Sequence, residues 1–159
     1  MLKKYLLAVI ISMIPLIEIR GAVPYALLWG LPIIPAYIVC IIGNMIPVPI
    51  IFFFARKVLL WGQSKRIPLF SKFCNFCMTK GEKGGKKLEE KAGKGLYFAL
   101  FLFVGIPLPG TGAWTGTLAA SILDMDFKKS CVAIMSGVIL AGIIMGCGTS
   151  IIQFVANLF

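Results

Sequence analysis

Two stretches of this chain, residues 31–54 and 130–159, contain no acidic or basic side chain. A helix rises about 1.5 Å per residue, so a hydrocarbon layer of about 30 Å takes roughly 20 residues to cross. Each run exceeds that length. A soluble fold would interleave polar and charged positions on its solvent face, and no charged position recurs here. Composition agrees, since 59% of the 159 residues are hydrophobic and only 14% are charged. The expected fold class is therefore an all-α integral membrane protein with two full transmembrane helices, at about 32–55 and 130–158.

Two shorter apolar stretches, Tyr5 to Trp29 and Leu96 to Leu123, break in the middle at Pro, Gly and polar residues. The first break runs from Pro15 to Pro24 and holds Glu18, Arg20 and Gly21; the second runs from Gly105 to Gly116. Proline removes a backbone donor and clashes with the preceding turn, so helices end there. Each half-segment is too short to cross, which suits re-entrant helical hairpins at about 5–30 and 96–124. Irregular backbone at membrane depth needs protein or a wet cavity around it, so both hairpin tips should face inward.

The pieces repeat in order: a broken hairpin and a span in residues 1–55, a basic segment at 56–95, then a hairpin and a span in residues 96–159. Pro-Leu recurs at 15 and 107 and Gly-Ala at 21 and 112. Residues 56–95 carry eleven of the sixteen Lys and Arg against Glu82, Glu89 and Glu90, which places that loop in the cytoplasm. With two re-entrant hairpins both termini lie outside and the halves form an inverted repeat, an arrangement characteristic of transporters. Lys128 and Lys129 suit an inside position, whereas Lys3 and Lys4 oppose it. If the first hairpin instead crosses twice, the N-terminus is cytoplasmic.

Charges at membrane depth cost free energy and tend to mark function. Glu18 and Arg20, two residues apart, suit a looped backbone rather than one helix face. Arg20 offers a planar set of donors to an anionic headgroup or substrate, and Glu18 neutralises it or exchanges a proton. A structural ion pair that fixes the hairpin is the competing reading. In the second tip, Gly110 and Gly112 allow left-handed backbone close to a ligand, Thr111 and Thr115 add hydroxyls, and Trp114 can stack or cap. Tight packing of small residues explains that tip equally well. Asn44 is a lone amide in the first span. The candidate substrate-binding or coupling residues are thus Glu18, Arg20, Pro24, Asn44, Pro107, Pro109, Gly110, Thr111, Gly112 and Trp114.

Elsewhere the expectations are plainer. Asp124 and Asp126 should cap the last span. Gly142 and Gly146 have the spacing for close helix contact, within the chain or between copies. Cys74 and Cys77 form a lone Cys-x-x-Cys in a chain without histidine, so no metal site is expected. Lys3, Lys4 and the run Tyr5–Ile17 resemble a signal peptide's basic and apolar regions, but no small-x-small pattern closes them, so no cleavage is expected.

The stretches Pro15-Leu16-Ile17-Glu18-Ile19-Arg20-Gly21-Ala22-Val23-Pro24 and Pro107-Leu108-Pro109-Gly110-Thr111-Gly112-Ala113-Trp114-Thr115-Gly116 resemble the two signatures of the small multidrug export family. That family is similar to the DedA superfamily, so the resemblance implies two re-entrant hairpins meeting tip to tip and movement of lipids, including phosphorylated polyprenyl carriers.

With no histidine, nucleotide loop or paired catalytic carboxylates, an enzyme is not expected, and no cofactor is implied. Nucleic acid is excluded as a partner because the basic residues have a membrane explanation. The residues point instead to a small cell-membrane transporter that moves a lipid or small amphipathic or anionic substrate between the tips. It would be passive or coupled to a proton or sodium gradient, and would act as a homo-oligomer. The alternative is a scaffold or lipid-organising protein in which Glu18 and Arg20 are structural.

Overall fold

The computed structural model describes residues 1–15, 17–63, 94–108 and 110–156. Leu16, Pro109, the Cys74/Cys77 pair and most of the basic segment lie outside the described residues. Among those described, all regular structure is helical: α1 (Leu2–Met13), α2 (Glu18–Leu28), α3 (Ile33–Met45), α4 (Pro47–Gln63), α5 (Lys94–Gly105), α6 (Ala113–Ile122) and α7 (Phe127–Ala156).

The helix ends follow from local chemistry. The residue before a proline is pushed out of the helical region, and Ile14, preceding Pro15, is extended at φ −73° and ψ 127°. That closes α1. α5 stops at Gly105, just short of the Ile106-Pro107 pair. α2 and α6 close in the same way. Gly30 takes φ +73° while Leu31 N–H donates to the Ala26 carbonyl, and Asp124 takes φ +56° while Met125 N–H donates to the Ala120 carbonyl. Both are six-to-one closures with a left-handed residue past the helix end. At its start, α7 is capped by Asp126, whose Oδ1 accepts the Lys129 N–H at 2.9 Å, whereas Asp124, also expected to cap it, takes the left-handed position past the end of α6.

Three boundaries differ from the sequence-based expectation. The first break is confined to Ile14–Ile17, because α2 already begins at Glu18 and carries Pro24 inside it. Pro24 removes only the bond to the Arg20 carbonyl, and the rest of the helix closes around it. The first span is divided into α3 and α4 at Ile46, whose backbone stays helical at φ −56° and ψ −46°. Pro47 and Pro49 lack the donors that would continue the ladder, yet the axis runs on. Finally, α4 extends to Gln63, so the connecting segment starts later than residue 56.

Two stretches are long and apolar enough to cross a membrane, the 23 residues Ile33–Ala55 and the 25 residues Phe127–Ile151. Size is distributed inside out. The core is rich in small side chains, with Ala8, Ala22, Ala36, Ala113 and Ala120 at 0% exposure, while Ile34, Ile50, Phe54, Val132 and Ile143 stand at 50% or more. Water would oppose such a surface, whereas lipid accepts it, and small residues let helices approach closely.

Packing sets where the breaks lie. α1 lies on α3 and α5 on α7, so each hairpin's first leg packs on the long helix of its own half. The second legs also reach across: α2 packs on α7 as well as on α3, and α6 on α4 as well as on α7. Glycines in α7 make the close contacts. A Cβ on Gly137 would sit 2.8 Å from the Phe101 carbonyl, and one on Gly146 would overlap the Tyr37 hydroxyl, which donates to the Gly142 carbonyl at 2.7 Å. Gly142 and Gly146 thus serve internal packing. Gly105 is seated against Gly137 and Leu140, and Ile19 against Gly142, so both breaks lie level with the middle of α7. Ser12 meets Gly43 at the matching level of the first span.

Candidate functional site

A broken helix exposes orphan groups at both sides of the break, N–H groups where the chain resumes and carbonyls where it stopped. The second hairpin resolves this with the charges of the first. Glu18 is 4% exposed, and its carboxylate accepts the Ala113 N–H on Oε2 and the Trp114 N–H on Oε1, each at 3.0 Å. These are the first two amides of α6, so an acidic side chain from another hairpin caps that helix at the positive end of its dipole. Arg20 attends to the other side of the break. Its Nη1 donates to the Leu108 carbonyl, while its Nη2 donates to the Ile106 carbonyl at 3.2 Å, the Val104 carbonyl at 3.4 Å and Thr111 Oγ1 at 2.7 Å. A cation thus lies at the negative end of α5.

The two charges therefore bond the second tip and not each other. Both belong to the first turn of α2 rather than to a loop. Glu18, left-handed at the head of the turn, and Arg20, within it, point to opposite ends of the facing break, so one turn grips both. Glu18 reaches its place at φ +50°, a conformation unfavourable for any side chain with a Cβ. Such strain persists only where the surroundings fix it, and it clusters at functional sites.

The second tip is shaped to receive these groups. Gly112 stands at φ +138°, and a Cβ there would overlap the Glu18 carboxylate, so both conformation and space demand glycine. Gly110, at φ +83°, is exposed with open space around it. Thr111 Oγ1 shares its proton between the Leu108 carbonyl at 2.8 Å and the Ile106 carbonyl at 3.0 Å while accepting from Arg20. Pro107 is half-buried within the break. The grip is mutual, since Trp114 Nε1 donates at 3.2 Å to the carbonyl of Met13, the last residue of α1. Each tip thus supplies a donor to the carbonyl end of the other's first leg.

Of the sequence candidates, Glu18, Arg20, Thr111, Gly112 and Trp114 are brought together. Pro24 is half-buried within α2 and away from this contact, and Thr115 bonds within its own turn, to the Gly112 carbonyl at 3.4 Å. Asn44 is 0% exposed at the centre of the first span, and neither its oxygen nor its nitrogen has a partner. A lone amide in a span commonly bonds to a neighbouring helix, and Asn44 makes no such bond. Arg20 Nε also lacks a partner. Sequence reasoning missed Met13, whose contribution is a carbonyl that no side-chain pattern reveals. It also missed Tyr37 and Ser121, whose hydroxyls bond the Gly142 and Phe52 carbonyls and tie α3 to α7 and α6 to α4.

Comparison with known proteins adds a family. A family model described as "Putative small multi-drug export protein" matches residues 18–144. No curated protein and no solved structure matches the chain. The matched region begins at Glu18, includes both gripping charges and the whole second break, and ends inside α7. On that match over most of its length, with two helices of membrane-crossing length and an apolar exterior, the chain is a membrane protein that belongs to the small multidrug export family.

Proposed function

We propose that this protein is a secondary transporter whose gate is the contact between the two broken hairpins. The observation that carries the reading is the cross-bonding of the tips, level with the middle of α7, by Glu18 and Arg20. Opening that contact would strand a carboxylate, a guanidinium and several backbone groups in a low-dielectric setting, at several kcal/mol in total. Only something that replaces those partners makes opening feasible. An anionic or amphipathic substrate would take the donors of Arg20, and a proton on Glu18 would remove the charge that caps α6. Asn44, buried and unpartnered, is the next group such a substrate or a coupling proton or sodium ion would meet. Pro107 and Pro109 would act by holding the second break rather than by touching the substrate, and Pro24, inside α2, would act at most by shaping that helix.

The same reading treats residues 1–55 and 96–159 as inverted repeats around re-entrant hairpins, with the basic loop cytoplasmic. Its support is the packing of each second leg on the other half's long helix as well as its own, and the identical closures at Gly30 and Asp124. Export of small molecules, as the family's description has it, and DedA-like movement of a phosphorylated lipid are both compatible with Arg20 as the anion-binding group. A homo-oligomer is part of the proposal; an active, monodisperse monomer would remove it.

A scaffold reading has one observation in its favour: the carboxylate and most donors of Arg20 are already satisfied within the protein. Reconstituted liposomes carrying a fluorescent phosphorylated lipid, a cationic dye or a proton-gradient reporter separate the two. Transport predicts movement by wild type that Glu18→Gln and Arg20→Lys lose while remaining monodisperse. A wild type that moves none of the three probes, with variants that fail to assemble, would favour the scaffold.

A further inference from the structure

Away from the breaks, a groove of about 530 Å³ runs between α5 and α7. Phe98, Phe101, Val132, Ala133 and Ser136 line it, and Tyr97, Lys128 and Lys129 line the end nearest the start of α7. Phe98 and Val132 are each 60% exposed, so the groove opens to the outside of the bundle. Lys128 and Lys129 occupy the first turn of α7, where the helix dipole presents its positive end and where cations are unfavourable. Asp126, the capping residue, offsets them in part. The Tyr97 hydroxyl accepts the Asp126 N–H at 3.4 Å and keeps its own proton to donate, and Lys129 Nζ lies 5.6 Å from the centre of the Tyr97 ring. The seven helical steps from Lys129 to Ser136 make the apolar channel about 10 Å long.

A cationic mouth at the start of a membrane-length helix, leading into an apolar channel, matches an amphiphile with an acidic head. We infer that this groove binds an anionic glycerophospholipid of the surrounding bilayer, with its phosphate against Lys128 and Lys129 and one acyl chain along Phe98, Phe101 and Val132. Charge selects this occupant. The chain's own segment 64–93 carries eight basic residues against three acidic ones and has the wrong sign. A second copy docked symmetrically would bring the same lysines toward each other. This site does not depend on transport at the hairpin tips.

The test is native mass spectrometry of the full chain released from vesicles of equal phosphatidylglycerol and phosphatidylcholine. Wild type should retain phosphatidylglycerol selectively. Lys128→Gln with Lys129→Gln should weaken that retention about thirtyfold, roughly fivefold per lysine near a charged surface. Val132→Phe, which fills the groove from an exposed position, should reduce retention of either lipid. Lys57→Gln, which removes an exposed charge outside the groove, should change it less than twofold. Equal loss in Lys57→Gln, unchanged retention in Val132→Phe, no preference between the lipids, or a dimer in place of bound lipid would each overturn the assignment.

Discussion

At the scale of single residues, Arg20 and Gly112 are the least replaceable positions. Arg20 reaches three carbonyls and a hydroxyl with two nitrogens of a planar group. A lysine presents one compact ammonium and cannot span them. Arg20→Lys is therefore expected to destabilise the protein by about 2–4 kcal/mol despite keeping its charge. Thermal unfolding in detergent measures this, and a lysine variant as stable as wild type would refute it. Glycine at 112 and 110 makes a sharper comparison. Both have positive φ, but only Gly112 faces the Glu18 carboxylate. Gly110→Ala should cost about 1–2 kcal/mol from backbone conformation alone. Gly112→Ala adds a steric clash and should abolish a monodisperse peak in size-exclusion chromatography. Similar behaviour of the two variants would mean that the Glu18 contact is not what fixes this position. Glu18 was legible in the sequence as a charge at membrane depth, but its partners were not. Two backbone amides from residues 113 and 114 have no sequence signature, and an Arg two residues away offers itself as the obvious counterion.

At the scale of elements, the contact between α3 and α7 rests on Tyr37 over Gly142 and Gly146. Tyr37→Phe loses one hydrogen bond, about 1 kcal/mol. Gly146→Ala forces a methyl into the tyrosine hydroxyl and should cost more than that. Combined, the two changes should be less than additive, because phenylalanine removes the hydroxyl, the atom nearest the methyl, although the ring's Cζ still lies 2.5 Å from it. Strict additivity of the unfolding free energies would show that the two residues do not meet. Trp114→Phe isolates the reciprocal grip on α1 and should cost about 1 kcal/mol while leaving the cap at Glu18 intact. The spacing of Gly142 and Gly146 signalled a close helix approach, but the same spacing serves a neighbour in this chain or in another copy. Tyr37, more than a hundred residues away, decides for the former. Pro24 shows the opposite error, since a proline reads as a break yet the helix absorbs it once the preceding turn is held by Arg20 and Glu18.

At the scale of the whole molecule, the second leg of each half also packs on the other half's long helix, so each half alone leaves one face of its hairpin uncovered. Each half expressed separately is expected to aggregate, whereas the two co-expressed should recover a folded complex, read as co-purification in detergent. Independent folding of residues 96–159 would contradict this. Orientation is tested by reporter fusions at both termini and within the basic segment. The re-entrant reading predicts the termini on one side and the loop in the cytoplasm; termini on opposite sides would mean that one hairpin crosses.

Read alone, the residues establish that the chain is helical and apolar enough for a bilayer, that two of its apolar stretches are interrupted, and which interruption carries charge. Those properties are local: a run without ionisable groups, a proline, a glycine required past a helix end. Tertiary structure alone decided what the charges do. A carboxylate and a guanidinium packed among apolar helices must find partners, but the choice among a counterion, a ligand and the orphan ends of another helix depends on which surfaces meet. Here the second break falls level with the first, with a glycine at 112 admitting the carboxylate, and the orphan amides and carbonyls of one hairpin are satisfied by the side chains of the other.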